Sequence, residues 1–360
     1  MKITGIFAVL VVLGALLLGG VAWQLGMFSS RGDPVVFVVE RGANFLQIAR
    51  QLKSRGVIPN ERAFRWYINL WGTGKHLQRG EFELYQNMGI PAAVSMLTVG
   101  KPLEHKFTVP EGYNIFQIAD LLEAKGFGKR DEFLVAARAK EVVARIPTNG
   151  AGEAPQSIEG YIFPDTYMLQ RVFSELEIAQ IMVARFRDVY HGLKGAIESS
   201  PAVQELGLTP HQVITLASIV EKETGAASER PLIASVFLNR LRMHMRLQTD
   251  PTVIYGMWER DGSFDGNIRR RDLSTPTPYN TYVIRGLPPG PIASPGQQAI
   301  QAVLQPQNSD FLFFVSRNDG THEFTKDFRS HSRAVQKLQV NHFARDGKSW
   351  RDLPKAQRAN

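Results

Sequence analysis

Apolar residues form one long block at the start of the chain, followed by shorter patterns in which apolar and polar positions recur regularly. No charged side chain occurs between Ile3 and Phe28, and an apolar run of this length can cross a bilayer core of ~30 Å. The block predicts a transmembrane helix, with Trp23 where an interfacial aromatic residue would lie. We favour a retained single-pass anchor over a removed signal peptide, because no small-residue cleavage site follows. Lys2 weakly favours a cytoplasmic N-terminus and an external location for the bulk of the chain.

A polar linker ends at residue 33, and behind it one pattern of apolar positions occurs twice. The first copy contains GANFLQIA from Gly42, and the second contains GYNIFQIA from Gly112, 70 residues later. Each copy begins with an extended apolar segment and continues with a helix that ends in glycine and then a second helix. The first copy also offers a closing strand. We place the two copies at residues 34–105 and 106–170.

The strand–helix–helix–strand order of these copies resembles the LysM-like modules that pack against glycan chains. A duplicated scaffold unit that binds nothing explains the pattern equally well, so both interpretations stay open. Trp66, Tyr67 and Trp71 could face a sugar, but their spacing of one, four and five residues is more typical of a buried helix face.

Helical periodicity dominates the remainder of the chain, with one strand pair near its end. The expected fold is α+β: a single N-terminal transmembrane helix, LysM-like βααβ modules, and a mixed α/β domain at residues 171–345. A flexible basic tail is expected at 346–360. The predicted elements of the last domain are a helix at 174–193, helices capped by Thr209 and Ser228, a helix opened by a capping box at 294–297, a hairpin turning at 318–320, and a final helix at 330–340.

The helix that starts at Thr209 and Pro210 carries the candidate for chemistry, Glu221. Its buried face is predicted from apolar residues at helical spacing: Val213, Ile214, Ala217 and Val220. Glu221 falls in the last turn, where the negative end of the helix dipole and partial burial both favour a protonated carboxyl group. A general acid needs that form near neutral pH. The alternative is that Glu221 and Glu223 merely end a solvated helix.

Composition removes several classes of function. The 42 basic and 34 acidic residues give a net charge of +8, which suits an acidic polymer or a membrane surface. No stripe of Lys and Arg with interleaved aromatics points to nucleic acid. The chain has no cysteine, which excludes disulfides, a thiol nucleophile and thiolate metal sites.

Standard cofactor and nucleophile motifs are also absent from the sequence. There is no phosphate-binding P-loop, dinucleotide fingerprint, HExxH zinc motif or GxSxG elbow. The eight histidines show no ligand spacing on one helix, so we expect neither a metal nor another cofactor. What remains is carboxylate chemistry in a polar groove with aromatic residues. Enzymes that cleave glycosidic bonds use these groups. A second carboxylate, if one is needed, would come from Asp250 or Asp165, although both also suit turns.

A series of motifs in order then identifies a family. They are LASIVEKET from Leu216, SVFLNRL from Ser235, MRLQTDPTVIYG from Met245, YNTY from Tyr279 and GLPPGPI from Gly286. Together they resemble the YceG family of endolytic murein transglycosylases of bacterial inner membranes, and the resemblance runs from the anchor to about residue 340.

The resemblance implies that Glu221 is the essential catalytic glutamate. It would protonate the glycosidic oxygen that leaves from N-acetylmuramic acid, and then act as base while the 6-hydroxyl of that sugar closes on C1. A 1,6-anhydro end results and no water is consumed, so one carboxyl group suffices. The family is also linked to ending nascent glycan strands made by membrane-bound synthases, which would be partners beside the glycan and the inner membrane.

Five further residues are candidates for the groove: Gln248, Asp250, Asn280 and Tyr282 for holding sugar and acetamido groups, and Glu159. The resulting division of the chain is 1–33 for the cytoplasmic end, anchor and linker, 34–105 for the first module, 106–345 for the catalytic region and 346–360 for the tail. Two alternatives remain: a non-catalytic peptidoglycan-binding protein, and a two-carboxylate hydrolase that uses Asp250.

Overall fold

The apolar block at the N-terminus folds as a 23-residue helix, α1 (Lys2–Gln24), in a computed structural model that describes residues 2–147 and 155–340. Its side chains point outward: Leu16, Leu17 and Leu18 are about 70 % exposed. By length and composition this helix could cross a membrane. The basic tail predicted at 346–360 lies outside the described residues.

Helices outnumber strands in the described part of the chain, and the strands pair only in twos, which confirms the α+β class in this coarse form. In chain order the elements after α1 are β1 (Pro34–Val39), α2 (Phe45–Ser54), α3 (Glu61–Trp71), β2 (Gly80–Tyr85), α4 (Ile90–Val99), β3 (His105–Thr108), α5 (Ile115–Ala124), α6 (Arg130–Ala136), α7 (Lys140–Val143), β4 (Thr166–Leu169), α8 (Glu175–Ser199), α9 (Pro201–Leu206), α10 (Pro210–Glu223), α11 (Arg230–Arg242), α12 (Asp250–Asp261), α13 (Arg270–Ser274), α14 (Gln297–Leu304), β5 (Phe313–Ser316), β6 (His322–Thr325) and α15 (Phe328–Val335).

The chain divides into two compact units: Met1–Phe107 with Met168–Ser174, and Thr108–Tyr167 with Glu175–Asn360. The first unit contains the strand–helix–helix–strand order expected of the first copy. Its strands β1 and β2 pair antiparallel with Phe37 opposite Phe82, and both rings are fully buried. The end of α1 is joined to this unit by a hydrogen bond from the Ile90 N–H to the Leu25 carbonyl, 2.8 Å long.

Helix α3 departs from the expectation for its aromatic residues. Trp66 and Trp71 are 53 % and 66 % exposed, whereas Tyr67 is partly buried against the core of the unit. The buried face of α3 is formed by Phe64 and Ile68 instead. The spacing predicted a core role, which is wrong for the two tryptophans, because Phe64 and Ile68 at i, i+4 spacing already form the buried face of this short helix.

The two copies of the repeat share their helix start. Asn44 caps α2 and Asn114 caps α5, and each forms a capping box with the glutamine three residues later. In both copies the preceding glycine has a positive φ, +77° at Gly42 and +71° at Gly112, a conformation that glycine adopts at little cost. The copies are therefore alike in local geometry as well as in sequence.

Three helices, α10, α11 and α14, pack against one another in the second unit. Eight consecutive residues of α10, from Val213 to Val220, are buried, so this helix is enclosed rather than amphipathic. Its start is as predicted, with Thr209 as N-cap and Pro210 in the first turn.

Two other predicted helix starts are wrong. Helix α14 has Gly296 as its N-cap and no side-chain cap, so Ser294 does not open a capping box. Helix α11 begins at Arg230, after a 3₁₀ turn that contains Ser228. The predicted hairpin is confirmed: β5 and β6 pair antiparallel around residues 318–320.

Candidate active site

The carboxyl group of Glu221 is buried at the end of α10, and both of its oxygens accept a hydrogen bond. Oε1 accepts from Nη2 of Arg230 at 3.0 Å, and Oε2 accepts from the backbone N–H of Gly296 at 2.9 Å. The side chains of Glu221 and Arg230 are only 6 % and 7 % exposed. The carboxylate is thus fixed in orientation by one donor from the start of α11 and one from the start of α14.

These two donors change the electrostatics expected from the sequence. The C-terminal end of α10 disfavours a negative charge, but the N-terminal end of α14 and the guanidinium of Arg230 both favour it. Neither the Gly296 N–H nor the guanidinium can accept a hydrogen bond. A proton on Glu221 therefore turns one charged acceptor oxygen into a neutral hydroxyl, which is a weaker acceptor for its present donor.

A second carboxylate, Glu111, lies beside this pair. Its Oε2 is 3.5 Å from the same Nη2 of Arg230, while Nη1 of Arg230 donates to Gln298 at 2.6 Å. Glu111 is about half exposed, and burial followed by the negative charge of Glu221 raises the pKa of its carboxyl group, against the opposing charge of Arg230. The guanidinium is therefore shared by a buried and a solvent-facing carboxylate.

Gly296 allows Glu111 to lie this close to the start of α14, whereas Gly112 is at an ordinary contact distance from Glu221. A Cβ atom on Gly296 would overlap Oε1 of Glu111, and one on Gly112 would lie 3.7 Å from Cγ of Glu221. The Gly112 carbonyl accepts a hydrogen bond of 3.0 Å from Nζ of Lys222. The loop between β3 and α5 is thereby held against the end of α10.

Two cavities lie near α10, and Glu221 lines neither of them. One, of about 550 Å³, includes His211 near the start of the helix, and the other, of about 320 Å³, includes Glu223 at its end. The group beside Glu221 that faces solvent is Glu111.

Three of the predicted groove residues meet in the smaller cavity. Gln248, Asp250 and Tyr282 line it together with Glu223 and with aromatic side chains such as Phe313. The Tyr282 hydroxyl donates to Oδ1 of Asp250 at 2.7 Å. Gln248 has a φ of +49°, a left-handed conformation that is uncommon for a residue with a side chain and is frequent at binding sites.

Glu223 is, with Asp250, an acidic group of this cavity, and it points away from Glu221, as expected for residues two apart on a helix. Thr249 donates its hydroxyl proton to Glu223. Burial raises the pKa of Glu223 to about 7, the nearby Asp250 adds to the effect, and the Thr249 hydrogen bond and Arg240 oppose it. Arg240 lies over the Phe313 ring at 5.0 Å and donates to the Leu312 carbonyl, so it belongs to the wall of the cavity.

Asn280 is buried away from both cavities' openings. Its side-chain amide donates to the carbonyls of Asp272, Leu273 and Thr275, and its Oδ1 accepts from the Tyr282 N–H. The structure thus places Asn280 behind Tyr282, where it fixes the backbone of the 275–282 loop.

Glu159 is buried at the start of α5. One oxygen accepts from the Ile115 N–H at 2.9 Å and the other from its neighbour, the Gly160 N–H. Burial raises the pKa of Glu159 to about 8, although these hydrogen bonds oppose the shift. The larger cavity is lined in part by this residue.

Glutamine at position 159 is expected to weaken the pH dependence of stability. The native pKa is raised from 4.5 to about 8, so the stability that Glu159 contributes is fully present below about pH 4.5 and is lost as the pH rises through about 8. Urea unfolding at about pH 5 and pH 8 should show the native protein losing a few kcal/mol more than Glu159→Gln between the two conditions. Equal losses in both proteins would contradict this assignment.

Metal binding is not indicated where the structure describes the chain: residues 2–147 and 155–340 hold no group of three or more His, Asp or Glu side chains suited to one ion. Sequence reasoning overlooked Glu111 and Arg230. The available signal was the position of Glu111 directly before Gly112, the glycine that opens the second copy of the repeat.

This chain is similar to known proteins over most of its length. The sequence profile of the YceG-like family matches residues 37–337. The endolytic murein transglycosylase of Bacillus subtilis (strain 168) is 32 % identical over 310 residues, which cover 83 % of this chain and 83 % of that protein. The endolytic murein transglycosylase of Streptococcus pneumoniae serotype 2 is 28 % identical over 325 residues, 82 % of this chain but 57 % of that longer protein.

A solved structure is similar as well. The crystal structure of a yceG-like protein from Listeria monocytogenes superposes with a TM-score of 0.56 at 30 % identity, covering 84 % of this chain and 99 % of that one. All four similarities extend over most of the chain, and the family match at residues 37–337 includes α10, α11 and α14.

Proposed function

The chain belongs to the YceG-like family, and from this premise we propose that it is a membrane-anchored endolytic transglycosylase that cleaves nascent peptidoglycan strands. The relatives are named endolytic murein transglycosylases, which supports glycan as the substrate. Cleavage would be non-hydrolytic and would leave 1,6-anhydro-N-acetylmuramic acid ends, so that each cut ends a growing strand.

The observation that carries this proposal is the buried carboxyl group of Glu221, held by Arg230 and by the N-terminus of α14. A general acid–base must be oriented, and these two donors orient it. Both come from helices that pack directly on α10. The placement supports Glu221 as the catalytic residue.

The proposed reaction balances without water. Protonated Glu221 gives its proton to the glycosidic oxygen as the C1–O bond breaks. The 6-hydroxyl of the same muramic acid then attacks C1, and its proton passes to the Glu221 carboxylate. The C1–O6 bond replaces the broken bond, the leaving sugar carries a new hydroxyl, and Glu221 ends protonated as it began.

We propose that Gln248, Asp250 and Tyr282 contact sugar and acetamido groups from the smaller cavity. A side-chain amide, a carboxylate and a phenol offer both donors and acceptors there, and the phenylalanine wall suits the apolar face of a sugar ring. Asn280 supports the smaller cavity from behind, by fixing the loop that carries Tyr282. Glu159 fixes the start of α5 beside the larger cavity.

The same proposal covers location and partners. Helix α1 acts as a single-pass anchor in the inner membrane with its N-terminus in the cytoplasm, supported by its exposed apolar surface. Residues 34–105 form a LysM-like module, 106–345 the catalytic region with a second LysM-like copy at 106–170, and the peptidoglycan synthases that extend the strand are the protein partners. An anchored enzyme suits a substrate that grows at the membrane.

Product analysis tests the reaction. The full chain in detergent is incubated with uncrosslinked nascent glycan in ¹⁸O-labelled water, and the ends are identified by mass spectrometry. We expect internal cleavage with anhydro ends, which lack one water relative to reducing ends and contain no heavy oxygen. Reducing ends that incorporate ¹⁸O would contradict the proposal and would favour a hydrolase with Asp250 or Asp165 as second carboxylate.

A second candidate, a non-catalytic peptidoglycan-binding protein, is favoured by the exposed Trp66 and Trp71 on α3. Exposed aromatic rings are suited to stacking on sugars. In that case the protein would sediment with glycan, release no product, and behave identically when Glu221 is replaced. Release of anhydro fragments by the native protein excludes this candidate as the main function.

A further inference from the structure

Arg230 has two carboxylates within reach of one nitrogen. Its Nη2 is 3.0 Å from Glu221 and 3.5 Å from Glu111, and its Nη1 is fixed by Gln298 at 2.6 Å. A small rotation about the Gln298 contact therefore moves Nη2 from one carboxylate towards the other. The guanidinium can change its partner without leaving its buried position.

The proposed reaction requires such a change. Glu221 must hold a proton before it can donate one, and the oxygen that holds it is a weaker acceptor for Arg230 or Gly296 than a carboxylate oxygen is. The Gly296 N–H belongs to the backbone at the start of α14 and has no freedom to turn away. The Arg230 side chain is the donor that can leave, but a buried guanidinium without a carboxylate would be costly.

We propose that Glu111 is a positioning residue that takes over Arg230 whenever Glu221 carries the catalytic proton. Because this inference names a residue within the proposed reaction, it rests on the proposed function. Glu111 is suited to the task because it is half exposed and can approach the guanidinium from the solvent side. Gly296 supports it, since a side chain at that position would displace the Glu111 carboxyl group.

The charges around the pair explain why Glu111 matters for protonation. Glu221 faces Arg230 from α11 and Lys222 from its own helix, and Glu111 comes from the β3–α5 loop. The charge of Glu159 also acts on Lys222. Without Glu111, Arg230 has no second carboxylate within reach, and its positive charge faces Glu221 alone.

The test is the pH profile of Glu111→Gln. Initial rates of anhydro-end formation by the full chain are measured between about pH 4.5 and pH 8.5. We expect the descending limb of the profile to move to lower pH by about one unit or more, because one nearby negative charge is lost. Near neutral pH the variant should be roughly tenfold slower or worse, and at about pH 5 it should approach the native rate.

Two further variants keep the result interpretable. Glu205→Gln also removes a carboxylate from an arginine, Arg242, but this pair lies on the exposed surface. The pH profile of Glu205→Gln should therefore match the native profile. Glu111→Asp keeps the charge and should retain most of the neutral-pH rate. Thermal melting of each variant establishes that the fold is intact.

Two results would overturn the inference. One is an unchanged pH profile in Glu111→Gln. The other is a loss of rate that is the same at every pH, or that is equally large in Glu111→Asp, because either pattern indicates that Glu111 has only a structural role. Failure of the proposed function is distinguishable, because the native protein itself would then form no anhydro ends.

Discussion

Replacing Glu221 with glutamine is expected to slow the formation of anhydro ends by about a thousandfold. A glutamine amide can neither give a proton to the leaving oxygen nor take one from the 6-hydroxyl, and general acid–base catalysis commonly contributes factors of 10² to 10⁴. Since one residue performs both proton transfers in the proposed reaction, its loss removes both. Rates are measured by mass spectrometry of released ends under single-turnover conditions.

The same substitution should leave the fold intact while weakening it. Glutamine has the size of glutamate, and its carbonyl oxygen can still accept from Gly296 or Arg230, but its NH₂ group then faces the other donor. We expect a loss of about 1–3 kcal/mol, the usual cost of an unsatisfied buried polar group. Glu205→Gln, which also removes a carboxylate from an arginine, is the control and should keep full activity.

The informative comparison is between activity and glycan binding. If Glu221→Gln still sediments with glycan but releases nothing, binding and chemistry are separate, as the proposed function requires. Product release at the native rate by a folded Glu221→Gln protein would exclude Glu221 as the general acid. It would favour Glu223 or Asp250 as the acid instead.

Local signals predicted the start of α10 but not the surroundings of Glu221 at its end. Thr209 and Pro210 stabilise the first turn of α10 through contacts with residues at most four positions away. The sequence therefore reveals where α10 begins. The contacts of Glu221 are different in kind. Gly296 is 75 residues away, and Glu111 meets Arg230 across 119 residues. No periodicity encodes such separations, because they depend on how α10, α11 and α14 pack.

The failure at Ser294 has the same origin. The motif from Ser294 to Gln297 satisfies the pattern of a capping box, yet the backbone of Ser294 bonds to Tyr113 and Gly112, and the Gly296 N–H is used by Glu221. Tertiary contacts thus replaced a locally favourable cap. The segment supplies a donor to the proposed active site, which is where local rules are expected to be broken.

The groove candidates were predicted from sequence motifs rather than from helix signals. Their motifs are distinctive, and three of them, Gln248, Asp250 and Tyr282, do lie together. The sequence could not show that they surround Glu223 rather than Glu221, because the direction of a side chain at a helix end depends on where the helix stops. Helix α10 ends at Glu223, so the two acids face different surroundings.

Alanine at position 160 is expected to destabilise the second unit by roughly 3 kcal/mol or more. Gly160 has a φ of +76°, and a Cβ atom there would overlap the Pro291 ring, with Cγ of Pro291 only 2.6 Å away. A proline ring cannot rotate aside, so the backbone must move. The strain of a left-handed alanine adds about 1–2 kcal/mol. Urea unfolding of the two proteins measures the difference in the free energy of unfolding.

Gly207→Ala separates the two contributions. Gly207 also has a positive φ, +60°, but a Cβ atom there meets nothing within 4 Å, so only the backbone strain of about 1–2 kcal/mol should remain.

The overlap at Gly160 has a second consequence, because Pro291 precedes Ile292, whose N–H is held by Ser218 on α10 at 3.0 Å. Moving this loop displaces the Gly296 N–H, so Gly160→Ala should also lose activity while Gly207→Ala keeps it. Equal destabilisation by the two substitutions would show that the close packing of Gly160 on Pro291 does not hold this loop in place.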